Sequence, residues 1–175
     1  SVSAQGANGI VTVGDAGSGT VNITDTGISS KSLVLGNQAT GIGQVNAVTS
    51  SLSLIGDGAN LSIGREGSGN LSLTPSRGDY DNQYYGSGLT VTDPINASAN
   101  IFIGQYPGSQ GTLNVCGECT LVADTLRIGL DENDAPGGAG LVNLYAPFVY
   151  APIAFTPKLV KIGPNGVFTQ YGAFD

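Results

Sequence analysis

The stretch Asn60-Leu61-Ser62-Ile63-Gly64-Arg65-Glu66-Gly67-Ser68-Gly69-Asn70-Leu71-Ser72-Leu73 decides how the chain is read. An apolar–polar–apolar triplet is closed by glycine, a short loop carries two more glycines, and a second alternating triplet follows. Period-2 alternation places Leu61 and Ile63 on one face of a strand, and Leu71 and Leu73 on one face of the next. The glycines suit a tight corner, where other residues resist the backbone angles required.

The grammar recurs along the whole sequence. Glycine closes an apolar triplet at Val11-Thr12-Val13-Gly14, Leu33-Val34-Leu35-Gly36, Leu61-Ser62-Ile63-Gly64, Ile101-Phe102-Ile103-Gly104, Leu126-Arg127-Ile128-Gly129 and Val160-Lys161-Ile162-Gly163. Most copies continue through a glycine-containing corner into a second triplet, such as Val21-Asn22-Ile23 or Leu113-Asn114-Val115. A third element often comes before the glycine triplet: Leu52-Ser53-Leu54, Leu89-Thr90-Val91 and Thr120-Leu121-Val122. Three short strands in roughly 20 to 25 residues are one coil of a β-solenoid, whose apolar faces are buried only by stacking. The spacing predicts an all-β, right-handed parallel β-helix of about 6 or 7 coils, with almost no helix. It predicts one domain over residues 1–175, with an insertion at about 75–88 and an extended proline-rich segment at 146–157. Uneven spacing between the copies leaves a jelly-roll β-sandwich as the alternative.

Composition narrows the function classes. The 175 residues include 28 glycines, 40% hydrophobic residues, 11% charged residues and no histidine. The formal net charge of −7 disfavours nucleic acid and anionic lipid, both of which call for clustered Lys and Arg. No stretch is long and apolar enough to read as a membrane helix. No signal peptide is visible, so Ser1 is expected to start a mature or trimmed chain. Few charges, abundant Gly, Ser, Thr and Asn, and a single close cysteine pair suggest an exported protein. Four Asn-x-Ser/Thr sequons begin at Asn22, Asn60, Asn70 and Asn96, a number that chance supplies in so Asn-, Ser- and Thr-rich a chain.

The pattern L-x-I-G-x-x-G-x-G-x-L-x-L, best matched at residues 60–73 and 10–23, resembles the autotransporter-type and PEP-CTERM-associated repeats of secreted bacterial surface proteins. The resemblance runs from about Gly9 to Phe168 and is looser at 129–144 and 159–168. It implies a β-helical passenger of the kind found in surface adhesins and matrix proteins. No transporter barrel or cell-wall anchor accompanies it in this sequence.

Departures from the repeat are where function is expected. Arg77 to Gly86 is a polar insertion whose Tyr80, Tyr84 and Tyr85 are candidates for contact with a sugar or a partner protein. Cys116-Gly117-Glu118-Cys119 is expected to form a disulfide pinning a corner, since zinc lacks further ligands and a redox motif lacks its βαβ setting. Asp131, Asn133 and Asp134 offer oxygen ligands for Ca²⁺, the one cofactor the sequence suggests, against the simpler reading of a solvated acidic turn. Between Ala146 and Pro157, recurrent proline forbids a helix. There Phe148, Tyr150, Ile153 and Phe155 must be covered by the last coil or by a neighbouring subunit, in which case they form an interface.

Without histidine a Ser-His-Asp triad is impossible, and the adjacent carboxylates of Asp79 with Asp81, or Asp131 with Asp134, are poorly placed to face each other across a glycosidic bond. The expectation is therefore a non-enzymatic extracellular structural protein: a surface adhesin, matrix component or self-associating fibre subunit. A carbohydrate-binding module or a polysaccharide-degrading β-helix enzyme is the alternative.

Overall fold

The computed structural model describes residues 2–3, 9–77, 83–146 and 153–172. In chain order the strands are β1 (Val2–Ser3), β2 (Ile10–Val13), β3 (Ser18–Thr24), β4 (Gly27–Ser30), β5 (Ser32–Leu35), β6 (Ile42–Val48), β7 (Ser51–Ile55), β8 (Asn60–Ile63) and β9 (Ser68–Thr74). They continue as β10 (Ser76–Arg77), β11 (Tyr84–Tyr85), β12 (Gly88–Thr92), β13 (Asn100–Ile103), β14 (Gln110–Cys116), β15 (Thr120–Ile128), β16 (Ala139–Ala146), β17 (Ala154–Ile162) and β18 (Gly166–Gly172). No helix occurs among the described residues. Apart from the small β10–β11 hairpin, every strand pair is parallel, and each strand lies against its counterpart in the next coil.

This is the expected parallel β-solenoid. Three strands make a coil, and six coils stack among the described residues. The first face carries β1, β4, β7, β12 and the leading halves of β15 and β17. The second carries β2, β5, β8, β13 and the trailing halves of β15 and β17. The third carries β3, β6, β9, β14, β16 and β18. The sandwich alternative is excluded, because sandwiches pair antiparallel strands.

Alternation does the burying. Leu61 and Ile63 stack on Leu33 and Leu35 below and on Ile101 and Ile103 above, and all six are fully buried. On the third face Leu71 and Leu73 lie between Val45 and Ala47 and the pair Leu113 and Val115. A single cluster of buried residues links the coils from Val13 to Ile153. Each fully buried Leu or Ile contributes about 1.5–3 kcal/mol. On the first face of the fifth coil the inward pair is Leu121 and Ala123, one step displaced from the triplet expected at 120–122.

The corner glycines have a specific job. Gly14, Gly36, Gly64, Gly104 and Gly129 all have φ between 65° and 68°, in the left-handed region. At Gly64 a Cβ would stand 2.1 Å from the carbonyl oxygen of Gln110 in the next coil, so both angle and space require glycine.

The long interval between Gly64 and Gly104 holds two excursions, not one. The first is the β10–β11 hairpin, inside the expected insertion, and the second is the loop Asp93–Ala99 between the first and second faces. At the base of the hairpin the Ser87 hydroxyl lies 2.9 Å from the Thr74 carbonyl and 3.0 Å from that of Ala47, and it accepts the Ser50 N–H. One hydroxyl thus ties three coils where the ladder is interrupted.

Gly64→Ala should destabilise the protein by at least about 1–3 kcal/mol from backbone strain alone. Gly17→Ala, where an added Cβ meets nothing within 4 Å, should be close to neutral. Urea unfolding midpoints of the two variants measure the difference.

Candidate functional site

Stacking in register turns outward-facing positions into rows that run along the solenoid. On the third face one row is Asn22, Asn46, Ser72, Asn114, Asn143 and Thr169. Its side chains hydrogen-bond along the axis: the Asn46 amide donates to Asn22 at 2.7 Å, Asn114 to Ser72 at 3.4 Å, and Asn143 to Asn114 at 2.9 Å. The neighbouring row ends in Cys116, Tyr145 and Tyr171. Leu144 and Ala146 are buried on either side of Tyr145, so alternation turns its ring outward. Tyr145 and Tyr171 are 50% and 54% exposed, with ring centroids 6.2 Å apart and planes at 62°. Between the two rows lies an open groove of about 470 Å³, lined by Ser72, Thr74, Asn114, Cys116, Asn143 and the two tyrosines.

A second groove, of about 370 Å³, crosses the second face and is lined by Asn60, Ser62, Arg65, Gln105, Tyr106 and Glu132 among others. Its polar groups answer one another. Gln105 accepts from Ser62 at 2.8 Å and donates to Glu132 at 3.2 Å, which also accepts from the Tyr106 hydroxyl. Burial and the neighbouring Glu132 raise the Tyr106 pKa. The row continues through Arg65 to Asn37 at 2.9 Å and from Asn37 to Asp15 at 2.6 Å. Phe102, which lines the same groove, is buried, with the Arg127 guanidinium 5.6 Å from its ring centroid.

The residues nominated from sequence fare differently. Tyr84 and Tyr85 are exposed on the hairpin, whereas Tyr80 lies outside the described residues. Cys116 and Cys119 flank a tight turn closed by the Cys119 N–H donating to the Cys116 carbonyl at 3.2 Å. Both are free thiols in the structure. Burial raises both thiol pKa values, that of Cys119 to about 11, so neither is poised as a nucleophile.

Asp131 closes its own turn by accepting the N–H groups of Asn133 and Ala135 at 2.8 and 2.9 Å. Asp134 pairs with Lys161 and Arg127, whose hydrogen bonds hold its pKa below the ordinary value. Among the described residues no cluster of three His, Cys, Asp or Glu side chains is assembled that could hold a metal ion.

Phe148 and Tyr150 lie outside the described residues. Ile153 is buried in the chain's own core, and Phe155 packs on Phe168 with centroids 5.5 Å apart. For these two residues the cover comes from the chain itself, one of the two arrangements the sequence left open.

Two buried carboxylates had not been singled out. Asp93 and Asp124 are 1% and 2% exposed and clamp the Asp93–Ala99 loop. Asp124 accepts the N–H groups of Asp93 and Ala99 and the Lys158 ammonium at 2.6 Å. Burial alone would raise the pKa of Asp124, yet Lys158 and these N–H groups hold it below its ordinary value. The Ser98 hydroxyl and the Ile95 N–H bring Asp93 down to about 2. Their acceptor capacity goes to backbone N–H groups, the Ser98 hydroxyl and Lys158, a loop-fixing role. The signal for Tyr145 and Tyr171 was present in the sequence: each follows Gly140 or Gly166 at the same distance, so the glycine register alone would align them.

No protein-family model matches the chain, and no curated protein and no solved structure is significantly similar to it.

Because the folded pKa of Asp93 lies below its ordinary 3.8, the unfolded chain binds that proton first as pH falls. Its stabilising contribution is complete above 3.8 and disappears as pH drops towards 2. Urea midpoints measured across that window should fall less steeply for Asp93→Asn than for the parent protein.

Proposed function

We propose that this chain is a non-enzymatic structural module of an extracellular or cell-surface assembly, and that copies of it stack end to end. The observation that supports this most directly is the state of the sixth coil. Val160 and Ile162 occupy the inward positions that Leu126 and Ile128 fill one coil below, yet they are 37% and 52% exposed. Among the described residues β17 pairs only with β15 and β18 only with β16, so both present an unpaired parallel edge. Such an edge is a template for another strand.

The occupant proposed is a second copy. Its first coil would present β2 and β3, also edge strands, and Gly19 belongs to the same row as Gly166. Head-to-tail contact of this heterologous kind propagates into a filament. The wide use of carboxylates as turn and loop clamps, together with the absence of histidine, supports a scaffold over a catalyst. The charge of −7 argues against nucleic acid as partner. Among the described residues no helix is long and apolar enough to cross a membrane.

Light scattering over a concentration series should give a mass that rises with concentration, with rods lengthening in negative-stain electron microscopy. Ile162→Lys, at an exposed end position, should hold the protein as a folded monomer. A parent protein that remains monomeric at every concentration overturns the proposal.

A further inference from the structure

We propose that the groove beside Tyr145 and Tyr171 on the third face is a binding site for an uncharged polysaccharide. A sugar ring offers two kinds of surface: a C–H face that packs on an aromatic ring, and a rim of hydroxyls that donate and accept hydrogen bonds. The groove supplies a partner for each. Tyr145 and Tyr171 provide two neighbouring rings, each about half exposed, set at 62° to each other. A rigid side chain with an apolar body and a polar tip suits such a half-wet contact.

The amide row supplies the rest. Asn114 and Asn143 each direct one N–H along the ladder, and each amide carries a second donor beyond that one. The ladder fixes their rotamers, so a ligand does not bear the cost of ordering them. Ser72 and Thr74 also line the groove; their hydroxyls donate to the Asn70 amide oxygen and the Ala47 carbonyl, so what they offer a ligand is acceptor capacity. Because neighbouring strands lie about 4.8 Å apart, the polar groups recur at a fixed interval along the axis, which favours a repeating, extended ligand over a single small molecule.

Charge selects the class. Among the described residues no Asp, Glu, Lys or Arg lines the groove. The protein as a whole carries −7, so an acidic polysaccharide would be repelled without a local cation to offset it. An uncharged chain meets no such penalty. The second-face groove is the contrast: its Arg65, Tyr106, Glu132 and Gln105 are engaged with one another or with neighbouring polar residues. The site is also independent of end-on stacking. A second copy added to the sixth coil would extend the tyrosine row with its Thr24 and leave the groove open.

The test is affinity electrophoresis of the intact protein through gels containing a soluble β-glucan, a xylan or an α-mannan, with polygalacturonate as the acidic contrast. At least one neutral polysaccharide should retard the protein and polygalacturonate should not. Tyr145→Ala and Tyr171→Ala should each weaken retardation about tenfold. Tyr145→Phe, which keeps the ring, should stay within about threefold of the parent. Ile95→Ser, on the exposed Asp93–Ala99 loop, should match the parent. Circular dichroism establishes that each variant is folded. A tyrosine ultraviolet difference spectrum of the unmodified protein, titrated with oligosaccharide from the retarding polymer, reads the contact without any substitution. Retardation by none of the neutral polymers, undiminished retardation of the folded alanine variants, equal retardation by polygalacturonate, or a flat difference spectrum overturns the proposal.

Discussion

The contact on which this structure rests is backbone against backbone at the glycine corners. Where the second face turns into the third, the chain takes a left-handed φ, and the next coil's carbonyl stands where a side chain would be. That closeness lets one coil sit on another without a gap, with every strand in hydrogen-bonding distance of its counterpart. It also fixes phase. Once Gly36, Gly64 and Gly104 are superposed along the axis, Leu33, Leu61 and Ile101 fall into one column and Leu35, Ile63 and Ile103 into the next. Parallel pairing in register therefore follows from the corners, and the core follows from the pairing.

The same phase-locking governs the polar residues. A side chain that faces outward in one coil meets a residue of the same position in the next. Short polar groups such as Asn46 and Asn22 can then satisfy each other. Among charged groups, Arg127 and Lys161 share a position with like charge and Asp134 from the adjoining loop lies between them, while Asp124 lies beside Lys158. Where the chain leaves the coil, extra fasteners appear. Ser87 closes the base of the hairpin, and the Asp93–Asp124 pair closes the second loop by capping backbone N–H groups that no strand can reach. Both loops leave and rejoin the coil at corners, so the ladder above and below them keeps its register.

In this arrangement the acidic and thiol-bearing motifs among the described residues are each taken up by local partners. Asp131 sits in a self-closed turn, Cys119 is turned into the core, and the second-face residues Gln105, Tyr106 and Glu132 form a mutual lattice. The groove between Tyr145 and the amide row differs in kind. Its rings are half exposed, and its polar groups are ordered by the ladder without being exhausted by it.

The sequence by itself determined the solenoid: period-2 triplets and glycine corners are local signals, and Leu61-Ser62-Ile63-Gly64 specifies its own strand, inward face and turn. It also determined the site of the hairpin insertion and the extended form of residues 154–157, where β17 begins and the proline-rich segment ends. Tertiary structure alone decided which residues from different coils share a row. Tyr145 and Tyr171, or Asp93 and Asp124, are separated by a whole coil of chain, and only axial stacking brings them together. It likewise decided that Phe155 packs on Phe168 and that the exposed Asp134 pairs with two cations. The physical reason is that a β-strand's pattern states which way a side chain points, whereas its neighbour depends on the register imposed by the coil beside it.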